Sequence, residues 1–246
     1  MQGKTVFITG GAKRVGAAIA RRLHAAGANL MVHYHSASQE ARALQNELNA
    51  TRANSVALIQ ADLLDCGSLP SLVHTTLEYY GRLDVLVYNA SSFYPTPIGA
   101  INEANWHELI GTNLKAPLFL AQAAATELRR RQGAIIHITD IHAERPLKEH
   151  VVYSIAKTGL VGLTRSLARE LGPEVRVNAV APGPILWPED HSSFDEVSRQ
   201  RIISHTILKH IGHPDDIAEA VYFLAAHAGF ITGQVINVDG GRSIKL

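Results

Sequence analysis

A tyrosine and a lysine four residues apart, Tyr153 and Lys157 in YSIAK, open an apolar run of helical period. Positions i and i+4 share one face of a helix, so the ammonium is expected beside the phenol. A neighbouring positive charge favours the phenolate and should move the phenol toward neutral pH, where it serves as an acid or base. Thirteen residues before the tyrosine, after the strand-like run GAIIHIT, stands Asp140. An ionised carboxylate only accepts hydrogen bonds. Beside a ketone oxygen that gains negative charge it would repel, and one missing donor there already costs about 3 kcal/mol. Tyrosine, lysine and aspartate together therefore argue for proton transfer and against a plain ketone substrate.

A second group of residues points to a dinucleotide. TGGAKRVG places Gly10, Gly11 and Gly16 between a strand-like run and a helix. Glycines there permit a tight turn and close backbone approach, and the helix N-terminus offers free amides to a phosphate. An NAD enzyme usually carries an acid at the end of the second strand to hold the ribose hydroxyls. Here that end reads MVHYHSAS, with no acid before Glu40. His33 and His35, with Lys13 and Arg14 across the turn, leave room and cations for a 2′-phosphate, which favours NADPH. The two histidines have no third ligand at metal-site spacing, so no metal is expected. Asp62, after the third strand, either accepts from the adenine amino group or caps the next turn.

The elements that must position these groups are set by periodicity. Short apolar runs (TVFITG, NLMVHY, SVALIQ, LDVLVYNA, GAIIHIT, VRVNAVAP, QVINVDG) alternate with helix-period segments at 15–26, 39–49, 68–80, 105–131, 151–171 and 214–226. Strands separated by single helices imply right-handed crossovers and a parallel sheet covered on both faces. The expected fold is α/β: a Rossmann-type, doubly wound parallel sheet of about seven strands, one domain over 1–246. In such folds ligands sit beyond the carboxyl ends of the strands. That rule gathers residues 10–16, 33–36, Asp62, 89–94, 139–142 and 182–187. The polar segment at about 185–209, which starts near Trp-Pro, is placed as a substrate lid. Trp187 either joins the pocket or packs on the surface.

Bulk properties exclude other classes. The 246 residues are 46% hydrophobic and 18% charged, with a formal charge of +1. No basic footprint points to nucleic acid or to an anionic membrane. A single cysteine, Cys66, rules out an internal disulfide and fits a reducing compartment. No apolar run approaches the ~20 residues of a membrane span. Without a signal-peptide pattern, the cytoplasm is the expected location.

The glycine turn, NAS at 89–91, Asn113, YSIAK at 153–157 and APG at 181–183 together resemble the short-chain dehydrogenase/reductase family over nearly the whole chain. The resemblance implies that Tyr153 donates the proton, that Lys157 binds the nicotinamide ribose and lowers the tyrosine pKa, and that Asn113 supports a water relay. Two departures narrow it: Arg14 stands where a middle glycine is usual, and Asp140 where a serine is usual. Both departures, with HYH at 33–35 and NASSFYPTP at 89–97, resemble the pteridine reductase branch. Members of that branch often carry arginine directly after HYH; here it is Ser36.

The branch implies reduction of dihydropteridines such as dihydrobiopterin and dihydromonapterin to tetrahydro forms, with dihydrofolate a candidate further substrate. Arg14, Ser91, Phe93, Asp140 and Tyr153 would hold the pterin, whose ring would lie between nicotinamide and Phe93. NADPH would be held at the glycine turn by Gly10, Lys13, Arg14 and Val15, and at the second strand by His33, Tyr34, His35 and Ser36. Asp62 and Leu63, then Asn89, Ala90 and Ser91, then Tyr153 and Lys157, and finally Pro182 and Gly183 complete its implied contacts. A pterin edge presents N–H donors, so the carboxylate that opposes a ketone would orient this ring. Two rivals stay open: a carbonyl or 3-oxoacyl reductase of the same fold, and a non-catalytic NADPH-binding regulator. The family commonly assembles as homotetramers through its two long helices, which implies the same here.

Overall fold

Strands buried on both faces have no polar side to show, and the seven strands of this chain read accordingly as nearly unbroken apolar runs. The computed structural model describes residues 1–187 and 195–245. The strands are β1 (Thr5–Thr9), β2 (Asn29–Tyr34), β3 (Val56–Gln60), β4 (Val85–Tyr88), β5 (Ala134–Ile138), β6 (Arg176–Pro182) and β7 (Val235–Val238). They form one parallel sheet in the order β3-β2-β1-β4-β5-β6-β7, as the sequence pattern implies.

Register shows how the two faces are built. Val32, Ile8, Val87 and Ile136 lie side by side in one row, and Met31, Phe7, Leu86 and Ile135 in the next. With a period of two the rows point to opposite faces. The first row packs with α1 (Arg14–Ala25), α2 (Ser38–Thr51) and α8 (Pro214–Ala226). The second packs with α3 (Leu69–Tyr80), α5 (Ala116–Arg131) and α6 (Val151–Leu171). The chain runs outward from β1 to β3 and then returns to β4 on the other side of β1. That reversal opens a crevice at their carboxyl ends.

One expected element differs. The segment at 105–131 is not one regular α-helix: α4 (Glu103–Ile110) passes through a π turn, Gly111–Lys115, into α5. Pro117 has no N–H to give the carbonyl of Asn113 four residues back, so the regular ladder fails there. Within the segment placed as a lid, 188–194 lie outside the described residues. Its remainder forms α7 (Glu196–His205), started by Asp195, whose side chain accepts from the Ser198 amide at 2.8 Å. A last turn, α9 (Arg242–Lys245), comes after β7. Among the described residues no helix is long and apolar enough to cross a membrane.

Candidate active site

At the reversal the glycine turn leaves β1 and enters α1. Gly10 has a φ of +58°, and a Cβ on Gly16 would come within 2.2 Å of the Gly10 carbonyl oxygen. Asn89 clamps the same turn: its amide donates to Gly10 O at 2.8 Å and to Thr9 O at 3.2 Å. Lys13 precedes α1 without a side-chain cap, and the first turn holds no acid. The opening amides of α1 therefore keep their capacity for an anion.

Arg14 adopts a φ of +54°. Non-glycine residues enter the left-handed region at a steric cost. Its Nη2 donates to Trp187 O at 3.2 Å.

Two cavities meet at Arg14 and Val15. The larger, about 570 Å³, is lined by Gly10, Lys13, the stretch from His33 to Ser36, Asp62, Leu63, Asn89, Ala90 and Ser91. These are the residues implied as dinucleotide contacts, and the space suits such a ligand. The smaller, about 350 Å³, is lined by Phe93, Asp140, Tyr153, Pro182, Gly183 and Trp187 among others. Pro182 and Gly183, at the end of β6 and also expected at the cofactor, wall the second cavity. Ser91, expected at both cofactor and pterin, lines the larger cavity.

Several residues do other work than their types implied. His33 is buried, accepts from the Gly10 amide through Nδ1 at 3.1 Å, and pairs Nε2 with Ala61 O at 3.1 Å. Burial pushes it down to about 4, outweighing the help of that carbonyl. It is a neutral strut beneath the turn, not the cation expected; Lys13 and His35 remain at the cavity for that part. Asp62 accepts the Leu64 amide at 2.9 Å, which realises the turn-capping option while leaving it at the cavity wall.

Asn113 is wholly buried in the π turn, and its amide donates to Ser92 O at 3.0 Å and Leu109 O at 2.9 Å. Its Oδ1 accepts from Ser91 at 2.6 Å. Both side-chain donors are committed, so the side chain braces the 91–92 loop.

The chemical centre is Tyr153. Its hydroxyl donates to Asp140 Oδ2 at 2.7 Å, while Asp140 Oδ1 accepts the His142 amide at 2.8 Å. One carboxylate thus caps a short 3₁₀ turn and holds the phenol. Lys157 is 2% exposed, lines neither cavity, and donates to Ile138 O at 3.0 Å. Its Nζ stands 5.6 Å from the centroid of the Tyr153 ring. Burial and then the Asp140 charge raise Tyr153 well above the ordinary phenol value. Burial brings Lys157 down to about 8, with Asp140 opposing.

Phe93 is 43% exposed, stacked on His150 at 4.7 Å and edge-on to Tyr153 at 4.8 Å. It therefore faces the second cavity and is not a core residue. Trp187 lines that cavity too, with the Arg199 guanidinium 5.4 Å from its ring centroid.

Residues missed by sequence reading are Glu108 and Thr112 in the larger cavity and Arg242 in the smaller. The strand-end rule, extended to the turn after β7, reaches Arg242. Glu108 and Thr112 lie near the α4 kink and carried no signal. Among the described residues no cluster of three His, Cys, Asp or Glu side chains could hold a metal ion.

A family profile described as enoyl-(acyl carrier protein) reductase matches residues 10–243. Pteridine reductase 1 of Leishmania tarentolae is 36% identical over 279 residues, covering 97% of this chain and 96% of that protein. A 3-oxoacyl-(acyl-carrier-protein) reductase, FabG, of Staphylococcus aureus is 35% identical over 241 residues, covering 97% of each. Among solved structures, a short-chain dehydrogenase/reductase from Serratia marcescens superposes with a TM-score of 0.91 at 33% identity, covering 98% of each chain. A blue fluorescent protein from a metagenomic library, in complex with NADPH, gives a TM-score of 0.91 at 36% identity, covering 98% of each chain.

Proposed function

Because this chain belongs to the short-chain dehydrogenase/reductase family and is an oxidoreductase, we propose that it reduces dihydropteridines to tetrahydro forms with NADPH. The observation that carries the proposal is the 2.7 Å bond from the Tyr153 hydroxyl to Asp140. A 3-oxoacyl reductase needs a donor aimed at the substrate oxygen, and here that donor is turned into a carboxylate. Relatives of the two activities are nearly equally similar in sequence, at 36% and 35%. It is the chemistry of Asp140 that favours the pterin.

The cofactor fits the larger cavity: uncapped α1 amides for phosphate, Lys13 and His35 at its wall, and no acid at the end of β2. When bound, the nicotinamide supplies a hydride to a ring carbon. The protein's own part is orientation and the proton. Asp140 accepts N–H groups of the pterin edge while Phe93 offers a ring face, an arrangement worth about 1 kcal/mol beyond area burial. The tyrosine proton already points at Asp140 Oδ2, so the shortest outward path to the ring nitrogen runs through that carboxylate. Burial keeps Tyr153 protonated until the nitrogen becomes basic. Lys157, its Nζ 5.6 Å from the Tyr153 ring centroid and an ammonium below about pH 8, offsets the negative charge left on the pair.

A homotetramer is part of the proposal. Trp106, Leu118, Phe119 and Ile155 leave apolar surface exposed on α4, α5 and α6, and light scattering that shows a stable monomer would count against it. The central test is turnover by purified protein with NADPH against dihydropterins, dihydrofolate and a panel of ketones. Reduction of ketones alone would overturn the reading.

A further inference from the structure

Arg242 occupies an unusual position for a charged side chain. It lines the smaller cavity together with Pro184, Ile185, Trp187 and Ile202, an otherwise apolar stretch of wall. It is partly buried, and among the described residues its side chain's one direct bond is from Nη1 to Ile202 O of α7 at 3.0 Å. A guanidinium has five N–H donors, and a single backbone carbonyl uses one of them. Among the described residues no carboxylate forms an ion pair with it. The nearby Asp239 is committed elsewhere: its two oxygens accept the Gly241 amide at 2.8 Å and the Ser243 amide at 2.7 Å. Burial accordingly lowers Arg242, outweighing the opposing field of Asp239.

The rest of the cavity adds to the imbalance. Among the described residues its one carboxylate, Asp140, is already shared between Tyr153 and the His142 amide. Arg14 contributes a second guanidinium. Among the described residues, Arg242 thus presents the cavity with an arginine fork that has donors to spare. Asp140 lies past the end of β5 and Arg242 past the end of β7, two strands away in the sheet, and both line the same cavity. A flat ring held at Asp140 would share its cavity with Arg242, leaving the guanidinium available to a substituent.

We propose that Arg242 is a specificity-determining residue that binds a carboxylate on the tail of the substrate, so that pterins with an acidic tail are preferred over those with a neutral one. The inference rests on the pterin reading of the same site. Arginine suits the role because its planar fork meets a carboxylate through two parallel bonds.

The experiment compares kcat/KM for dihydrofolate, whose tail ends in carboxylates, with that for dihydrobiopterin, whose tail is neutral and hydroxylated. The ratio of the two is measured in the wild type and in Arg242→Met, Arg242→Gln and Arg242→Lys. Loss of a charge-assisted contact should lower the ratio about 10- to 100-fold in the Met and Gln variants. Lys keeps the charge and should retain most of the ratio. Gln can still donate to Ile202 O, so a Gln variant with the wild-type ratio would assign Arg242 to bracing α7 and overturn the proposal. A ratio that moves less than about 3-fold in the Met variant overturns it as well, below the smallest effect expected of such a contact. Calorimetric Kd values for folate in the presence of NADP⁺ should follow the same order across the variants. A wild type that reduces neither pterin removes the functional reading and this inference together. A wild type that reduces both, with an unresponsive ratio, removes the inference alone.

Discussion

The two cavities that meet at Arg14 are built by different means. The larger is shaped by backbone and by side chains that bond to backbone. Asn89 clamps the glycine turn, His33 is wedged between Gly10 and Ala61, and Asp62 caps its own turn. The smaller depends on side chains that hold one another or stand partly exposed: Tyr153 on Asp140, Phe93 against His150, Arg242 on one carbonyl. The first wall is rigid before any ligand arrives and suits a ligand common to a whole family. The second can change its chemistry by single substitutions without disturbing the fold, which is what selection among substrates requires.

That contrast predicts where substitutions cost activity. The largest effect belongs to Tyr153→Phe, which removes one oxygen and leaves the α6 packing intact. Loss of the general acid should lower kcat by about 10³-fold or more, with thermal unfolding shifted only slightly. A variant with more than a tenth of wild-type turnover would move the proton source elsewhere. Next comes Asp140→Ser. It should reduce kcat/KM for dihydropterins about 100-fold, comparable to the loss of one preorganised contact. It also frees the tyrosine hydroxyl to face a carbonyl oxygen, so ketone turnover should rise. Pterin turnover within about 3-fold of wild type would make Asp140 incidental and favour the acyl reductase reading.

The sheet, its order of elements and the glycine turn were legible because each is a local pattern. Apolar runs set the strands, and glycines sit where a Cβ cannot fit. The interruption at Gly111–Lys115 was hidden inside a helical period, since a π turn changes hydrogen bonding without changing which residues are apolar. In the site, residue types were legible and their bonding was not. Tyr153 and Lys157 share a helix face as spacing required. Spacing could not reveal that burial and Asp140 would outweigh the ammonium, because Asp140 arrives from a different strand. His33 carried the wrong expectation for the same reason: its two partners lie 23 and 28 residues away. Arg242 stayed hidden because a glycine turn separates it from the end of β7, past the residues that sit at a strand end proper.

His33 offers a test of the rigid wall that involves no substrate. Its folded value near 4 lies below the ordinary 6.5, so the unfolded chain gains the proton first as pH falls. The stability contributed by the neutral ring is complete above about pH 6.5 and is lost progressively between there and pH 4. Between pH 7.5 and 5 this amounts to about 2 kcal/mol. His137, buried and pushed down to about 3, acts in the same direction. Urea unfolding of His33→Gln should therefore show a pH dependence smaller by about 2 kcal/mol over that interval. An unchanged slope would mean that the ring is not held neutral, and the wall would be less rigid than its bonds imply.

The smallest effects belong at the rim, where the cofactor wall is exposed and its charges are screened. Lys13 and Ser36 both line the larger cavity near the end of β2. If a 2′-phosphate is read there, Lys13→Ala should lower the preference for NADPH over NADH by about 5-fold, the scale of one exposed charge contact. Ser36→Arg should raise the preference by a similar factor. The opposite signs matter more than the sizes, because a general weakening of the dinucleotide site would reduce affinity for both cofactors and leave their ratio alone. Salt supplies a further check, since raising ionic strength should shrink both changes while leaving the Asp140 effect in place. Rim and centre would then differ as an exposed charge differs from a buried hydrogen bond.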